Sequence, residues 1–75
     1  MNILDALAYV HHKGHIIRSP NKFEFIYLIE NRVTNEKKLV GQIGNADPYE
    51  KKHFCVEDVL SEDWSLYFNN TGLNE

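Results

Sequence analysis

Apolar and polar positions along the chain change their period after the first fourteen residues. From Asn2 to Gly14 the apolar residues Ile3, Ala6, Leu7 and Val10 recur three and four positions apart, the repeat of one face of an α-helix. Asn2 is a capping residue, Asp5 follows near the positive end of the helix dipole, and His12 and Lys13 occupy the last turn. Gly14 then supplies the left-handed position on which helices commonly end. The apolar stripe is narrow, so this helix is expected to lie on a sheet as a lid over one face, with Asp5, Ala8 and His12 turned outward.

Beyond Gly14 the period becomes two. His15 to Arg18 reads as a short strand, Ser19 to Lys22 as a turn set by Pro20, and Phe23 to Glu30 as a longer strand. Phe23, Phe25, Tyr27 and Ile29 share one face of that strand, while Ile26 and Leu28 share the other between Glu24 and Glu30. A strand apolar on both sides is central to its sheet or packs its second face on another subunit. VTNEKK turns the chain, and KLVGQIG gives an antiparallel partner in which Gly41 marks a bulge or a close backbone approach. NADPYEKKH, with its single proline, reads as the longest loop, mobile or a contact surface. FCVEDVLSEDWSLYF combines a helical turn from Val56 to Leu60 with a last strand from Trp64 to Phe68.

The pattern therefore predicts an α+β fold, an N-terminal helix packed on a small antiparallel β-sheet. A single globular domain spans residues 1–70, with residues 71–75 as a frayed tail. Leu7, Val10, Ile17, Tyr27, Val40 and Trp64 are expected in one core. Trp64, the only tryptophan, is expected to close that core while its N–H reaches a nearby carbonyl or carboxylate.

Composition narrows the function classes. A chain of 75 residues buries only about 60% of the surface its unfolded form exposes, which makes self-association a natural supplement. A net charge of −3 offers no basic footprint, so direct nucleic-acid binding is not expected. The single cysteine, Cys55, excludes an intrachain disulfide, and MNILDALAYV lacks the basic start and long apolar run of a leader or membrane span. The expectation is a cytoplasmic protein with no membrane partner.

Candidate chemistry is sparse. His11, His12 and His15 cluster, but Gly14 interrupts the helix that would align His11 with His15, so no metal site is expected. His53 and Cys55 lie two apart, as a Cys/His nucleophilic pair could, yet a lone cysteine between Phe54 and Val56 reads more simply as a small core residue. Glu57, Asp58, Glu62 and Asp63 read as a solvated helix end rather than as paired acid/base carboxylates. The constellation that suits a ligand is Arg18, Asn21 and Lys22 around the proline turn, beside Phe25 and Tyr27: cations for a phosphate, an amide for a base or ribose, rings for stacking. A solvated hairpin turn is the plain alternative. No glycine-rich phosphate loop or other cofactor motif is present, and the chain is expected to be non-enzymatic and without cofactors.

Three stretches carry a resemblance: Asp5-Ala6-Leu7 in the first helix, Gly14-His15-Ile16-Ile17-Arg18 leading into a strand, and Asp58-Val59-Leu60-Ser61-Glu62-Asp63-Trp64 near the end. Together they resemble a family of small phage proteins that open with an "EAL"-type helix, continue G-K-x-V-x-R, and finish with D-L-L-A-E-D-W. That family includes a Thoeris inhibitor that acts as a sponge, an oligomer withholding a cyclic ADP-ribose-like immune signal from its effector, and a relative reported as an anti-CRISPR. Ser19-Pro20-Asn21 stands where those proteins have a Gly-Trp-Asn turn, and the middle of this chain is shorter, so Arg18 and Asn21 are the turn positions the resemblance carries over. It implies a homo-oligomeric anti-defence protein of the host bacterial cytoplasm that sequesters a small anionic nucleotide signal. The alternative is an anti-CRISPR-type inhibitor that binds a host defence protein directly.

Overall fold

The first helix forms where its signals cluster. In the computed structural model, which describes residues 1–21 and 23–67, helix α1 covers Ile3–Lys13. The Asp5 N–H donates to Asn2 Oδ1 at 2.8 Å, satisfying one of the donors that a helix start leaves open. Gly14 ends the helix at φ 69°, its N–H donating to the Val10 carbonyl at 3.1 Å. Asp5, Ala8 and His12 face outward as expected, and Ile3, Ala6 and Val10 are buried.

Among the described residues five strands follow: β1 (Ile16–Arg18), β2 (Glu24–Asn31), β3 (Glu36–Ile43), β4 (Tyr49–Glu50) and β5 (Ser65–Tyr67), with a short helix α2 (Val56–Leu60) before the last. They form one antiparallel sheet in the order β4-β3-β2-β1-β5. The helix on an antiparallel sheet is the α+β arrangement that the pattern predicts, and β2 is its central strand. Phe68 and residues 69–75, which the sequence assigns to the last strand and the tail, lie outside the described residues, as does Lys22.

Register sorts the side chains onto two faces, because residues directly opposite one another in a ladder point to the same side. Leu66, Ile17, Ile26 and Gly41 form one cross-strand row, with Leu28 opposite Leu39 beside it. This is the face under α1: Ile3, Ala6 and Val10 pack with Ile17, Ile26 and Trp64, and Leu7, Leu28, Leu39, Phe54 and Leu66 flank them. Tyr27 is not part of that core. It pairs with Val40 in the register that faces away from α1, and both residues lie on the opposite face.

Two further contacts close the covered side. Trp64 is 2% exposed, its indole N–H donates to the Asp58 carbonyl at 2.8 Å, and its backbone N–H donates to the Met1 carbonyl at 3.1 Å. It thereby joins α1, α2 and β5. At the other end, the stretch 45–53 is not a free loop. Glu24, 5% exposed, accepts from the Tyr49 hydroxyl and from Lys51 Nζ at 3.0 Å, so the buried carboxylate is both paired and hydrogen-bonded, as burial of a charge requires. Gly41 lies under this cluster, and a Cβ there would sit 2.8 Å from Glu24 Oε2 and 2.9 Å from the Tyr49 ring. The glycine serves a close approach, not a bulge, since the β2–β3 register runs unbroken through Ile26 and Gly41.

Truncating Trp64 removes the contact that three elements share. Trp64→Ala is expected to cost about 3 to 5 kcal/mol, most of what a domain of this size has. Urea unfolding checks it, and a midpoint within experimental error of the parent would contradict the placement of Trp64 in the core.

Candidate functional site

Alternation along β2 forces Phe25 and Tyr27 onto the face that α1 does not cover, and the flanking strands complete a patterned surface there. One cross-strand row reads Gln42, Phe25, Arg18 and Ser65; the next brings Val40, Tyr27, Ile16 and Tyr67 together. No described helix packs on this side. Ile16, Phe25, Tyr27, Gln42, Gly44, Asn45 and Tyr67 line an open depression of about 270 Å³.

In it and beside it, rings and polar groups are oriented by one another. Phe25 and Tyr67 meet edge to face, centroids 4.6 Å apart with planes at 61°, the geometry that the ring quadrupoles favour. The Arg18 guanidinium carbon lies 5.1 Å from the Phe25 centroid and 5.7 Å from that of Tyr67, within reach of a cation–π attraction to each. The Tyr27 hydroxyl donates to Gln42 Oε1 at 2.9 Å, which fixes the amide.

Arg18 is held by rings rather than by an acid. Among the described residues no carboxylate comes within salt-bridge distance of it, and its Nε is buried without a hydrogen-bond partner. A guanidinium in that state keeps its charge and its planar fork available for an anion. On its other side Arg18 lines a second depression with Pro20, Glu62 and Asp63. Those carboxylates disfavour a negative group in that depression.

Of the residues the sequence singles out, Arg18, Phe25 and Tyr27 come together on this face. Asn21 does not join them: its Oδ1 accepts from Ser19 Oγ at 2.6 Å and from the Phe23 N–H at 2.8 Å, so it organises the turn. Such a side chain–backbone bond is the ordinary reason for an asparagine in a turn. Gln42 and Tyr67 belong to the site and escaped sequence reading. Gln42 had a signal, since it shares the parity of Val40 in β3; Tyr67 had none, because its place depends on β5 pairing with β1, Ile16 opposite Tyr67.

The other candidates stand apart from this face. Cys55 is exposed at the start of α2 rather than in the core, and His53 beside it is exposed as well. His11 and His12 are exposed and stack edge to face, while His15 packs on Tyr9. Among the described residues no three His, Cys, Asp or Glu side chains converge at metal-binding distances. No helix among them is long and apolar enough to cross a membrane. Compared with known proteins, the chain matches no family, no curated protein and no solved structure.

An arginine kept for a ligand should contribute little to folding. Arg18→Met retains the packing of the stem and removes a buried N–H that has no partner, so stability is expected to hold or to rise by about 1 kcal/mol. Denaturant unfolding decides it, and a loss above about 2 kcal/mol would mark the guanidinium as structural instead.

Proposed function

We propose that this protein is a non-catalytic binder that holds a small anionic nucleotide on the open face of its sheet. In this reading it is a phage anti-defence protein of the host cytoplasm, withholding a nucleotide immune signal from its effector. The observation that carries the binding half is Arg18, a guanidinium backed by Phe25 and Tyr67 with no carboxylate among the described residues within salt-bridge distance. The rings offer a stacking platform for a base, and the guanidinium offers two parallel N–H groups to a phosphate. The anti-defence half rests on the resemblance of the chain's two ends to the phage family.

Binding without turnover fits the groups around the depression. The polar ones that line it are the phenols of Tyr27 and Tyr67 and the amides of Gln42 and Asn45, with the Arg18 guanidinium beside the rings, and the Tyr27 hydroxyl donates to an amide oxygen rather than to a base. Activation of a nucleophile needs such a base within hydrogen-bond reach. Self-association belongs to the same reading. Leu4 on α1 and Val56 and Leu60 on α2 are 71 to 75% exposed, and a second copy seated on these residues buries apolar area while leaving the ligand face open.

A second reading takes the same α2 surface as its observation. Val56 and Leu60 are exposed beside Glu57, Glu62 and Asp63, and such a surface suits direct blockade of a host defence protein. The two readings separate in solution. A nucleotide binder gains melting temperature with its ligand by mass action and releases the ligand intact on denaturation. A blocker ignores nucleotides and co-purifies with a host protein.

Arg18→Ala is expected to weaken nucleotide binding by about 1.5 to 3 kcal/mol, the scale of hydrogen bonds to charged groups, with Arg18→Lys restoring only part of it. His53→Ala and Cys55→Ser are expected to bind as the parent does. Calorimetry measures all four, and recovery of a chemically altered nucleotide would sink the non-enzymatic reading. Light scattering at micromolar concentration is expected to give a multiple of 8.8 kDa; a monomer would remove the oligomeric part of the proposal.

A further inference from the structure

The helix side of the sheet carries a groove where α1 ends. The half-buried Leu7, Leu28 and Leu39 line it with Val10, His11 and Lys37, around a volume of about 320 Å³. Its aliphatic floor is rimmed by the Lys37 ammonium, and no carboxylate among the described residues lines it. Glu30 stands opposite Lys37 in the ladder but not within salt-bridge distance of it, so the ammonium is available to an acid from outside. At the other end of α1 the surface has the opposite sign. Val56 and Leu60 are exposed one turn apart on α2, and the exposed Glu57 lies three positions before Leu60, on the same side of the turn.

One surface is apolar and acidic, the other apolar and basic, and that decides how two copies meet. Two α2 surfaces set against one another bring carboxylate to carboxylate, which disfavours the pairing. Set into the groove, the same side chains find aliphatic carbon and a lysine. Resting on the reading that the protein self-associates, we propose that α2 of each copy docks in the groove of the other, forming a two-fold dimer. Val56 and Leu60 of one copy lie on Leu7, Leu28 and Leu39 of the second, and Glu57 meets Lys37. The placement of the two surfaces lets both contacts form at once. Trp64 ties α2 to the start of α1, donating to the Asp58 and Met1 carbonyls, whereas His11, in the last turn of α1, lines the groove. A two-fold axis that sets the two α1 helices antiparallel brings each α2 to the other copy's groove, and the pair of contacts closes the assembly. The face that carries Phe25 and Tyr27 is on the other side of the sheet and stays open.

The test is analytical ultracentrifugation of the full chain at micromolar concentration, on the parent, Glu57→Lys, Lys37→Glu, an equimolar mixture of those two variants, and Leu60→Ser. All three substitutions fall at exposed positions, and far-UV circular dichroism checks that each variant is folded. The parent is expected to be a dimer. Each charge reversal puts like charges into both contacts and is expected to weaken the dimer by about tenfold or more. The mixture is expected to dimerise about as well as the parent, because every contact between the two variants again pairs opposite charges. Leu60→Ser is expected to be weakened as well, with no charge altered. A monomeric parent overturns the self-association reading, and this docking with it. A parental assembly that folded Lys37→Glu and Leu60→Ser leave intact keeps self-association standing and overturns the docking. So does an assembly other than a dimer, or a mixture that associates no more tightly than its two components alone.

Discussion

One helix of eleven residues, about 16 Å long at 1.5 Å per residue, is all that α1 can lay on a five-stranded sheet. It covers one face and only the middle of it. Everything else follows from that shortage. The covered face is aliphatic, Ile17 and Ile26 under Ile3, Ala6 and Val10. Where the helix does not reach, near β4, the sheet places a buried carboxylate with its own lysine and phenol instead of more apolar area. The second face has no helix among the described residues, so its apolar side chains cover one another: Phe25 lies against Tyr67, and Val40, beside Tyr27, is only 6% exposed.

The chain order compounds the constraint. The first and last strands are neighbours, β1 beside β5, so the sheet is complete only after the end of the chain returns to its beginning. Trp64 makes that return favourable, since one side chain buries against α1's core, caps the Asp58 carbonyl and immediately precedes β5. Closing a loop of this length costs entropy before any contact is gained. A large aromatic at the junction concentrates the compensating burial in one place. Its neighbours Glu62 and Asp63 remain exposed at the corner.

Much of this is legible in the sequence because it is local. The α1 caps, the period-two run of β2 and the β3 strand after its turn are each specified within a few residues, and each is found. Two things were not legible. The pattern puts Tyr27 in the core with Ile17, because a strand apolar on both sides does not say which side the helix takes; register decides it, and Ile26, not Tyr27, is opposite Ile17. The stretch 45–53 reads as a polar loop, because nothing local shows that Tyr49 and Lys51 fold onto Glu24, at least 25 positions away. Two of the five residues of the candidate site share that difficulty. Arg18, Phe25 and Tyr27 lie close in sequence and read as one group, whereas Gln42 and Tyr67 reach the same face through pairings between separate strands.

The site is therefore also a seam. Phe25 belongs to β2 and Tyr67 to β5, two strands that do not touch in the ladder, and Arg18 on the intervening β1 lies near both rings. A ligand that stacks on the rings and engages Arg18 bridges three strands, among them the edge strand that follows Trp64. Whatever binds there stabilises β5 on β1 by mass action, and β5 starts at the residue that follows Trp64. The face left bare by a short helix is thus coupled, through the last strand, to the closure of the core on the other side.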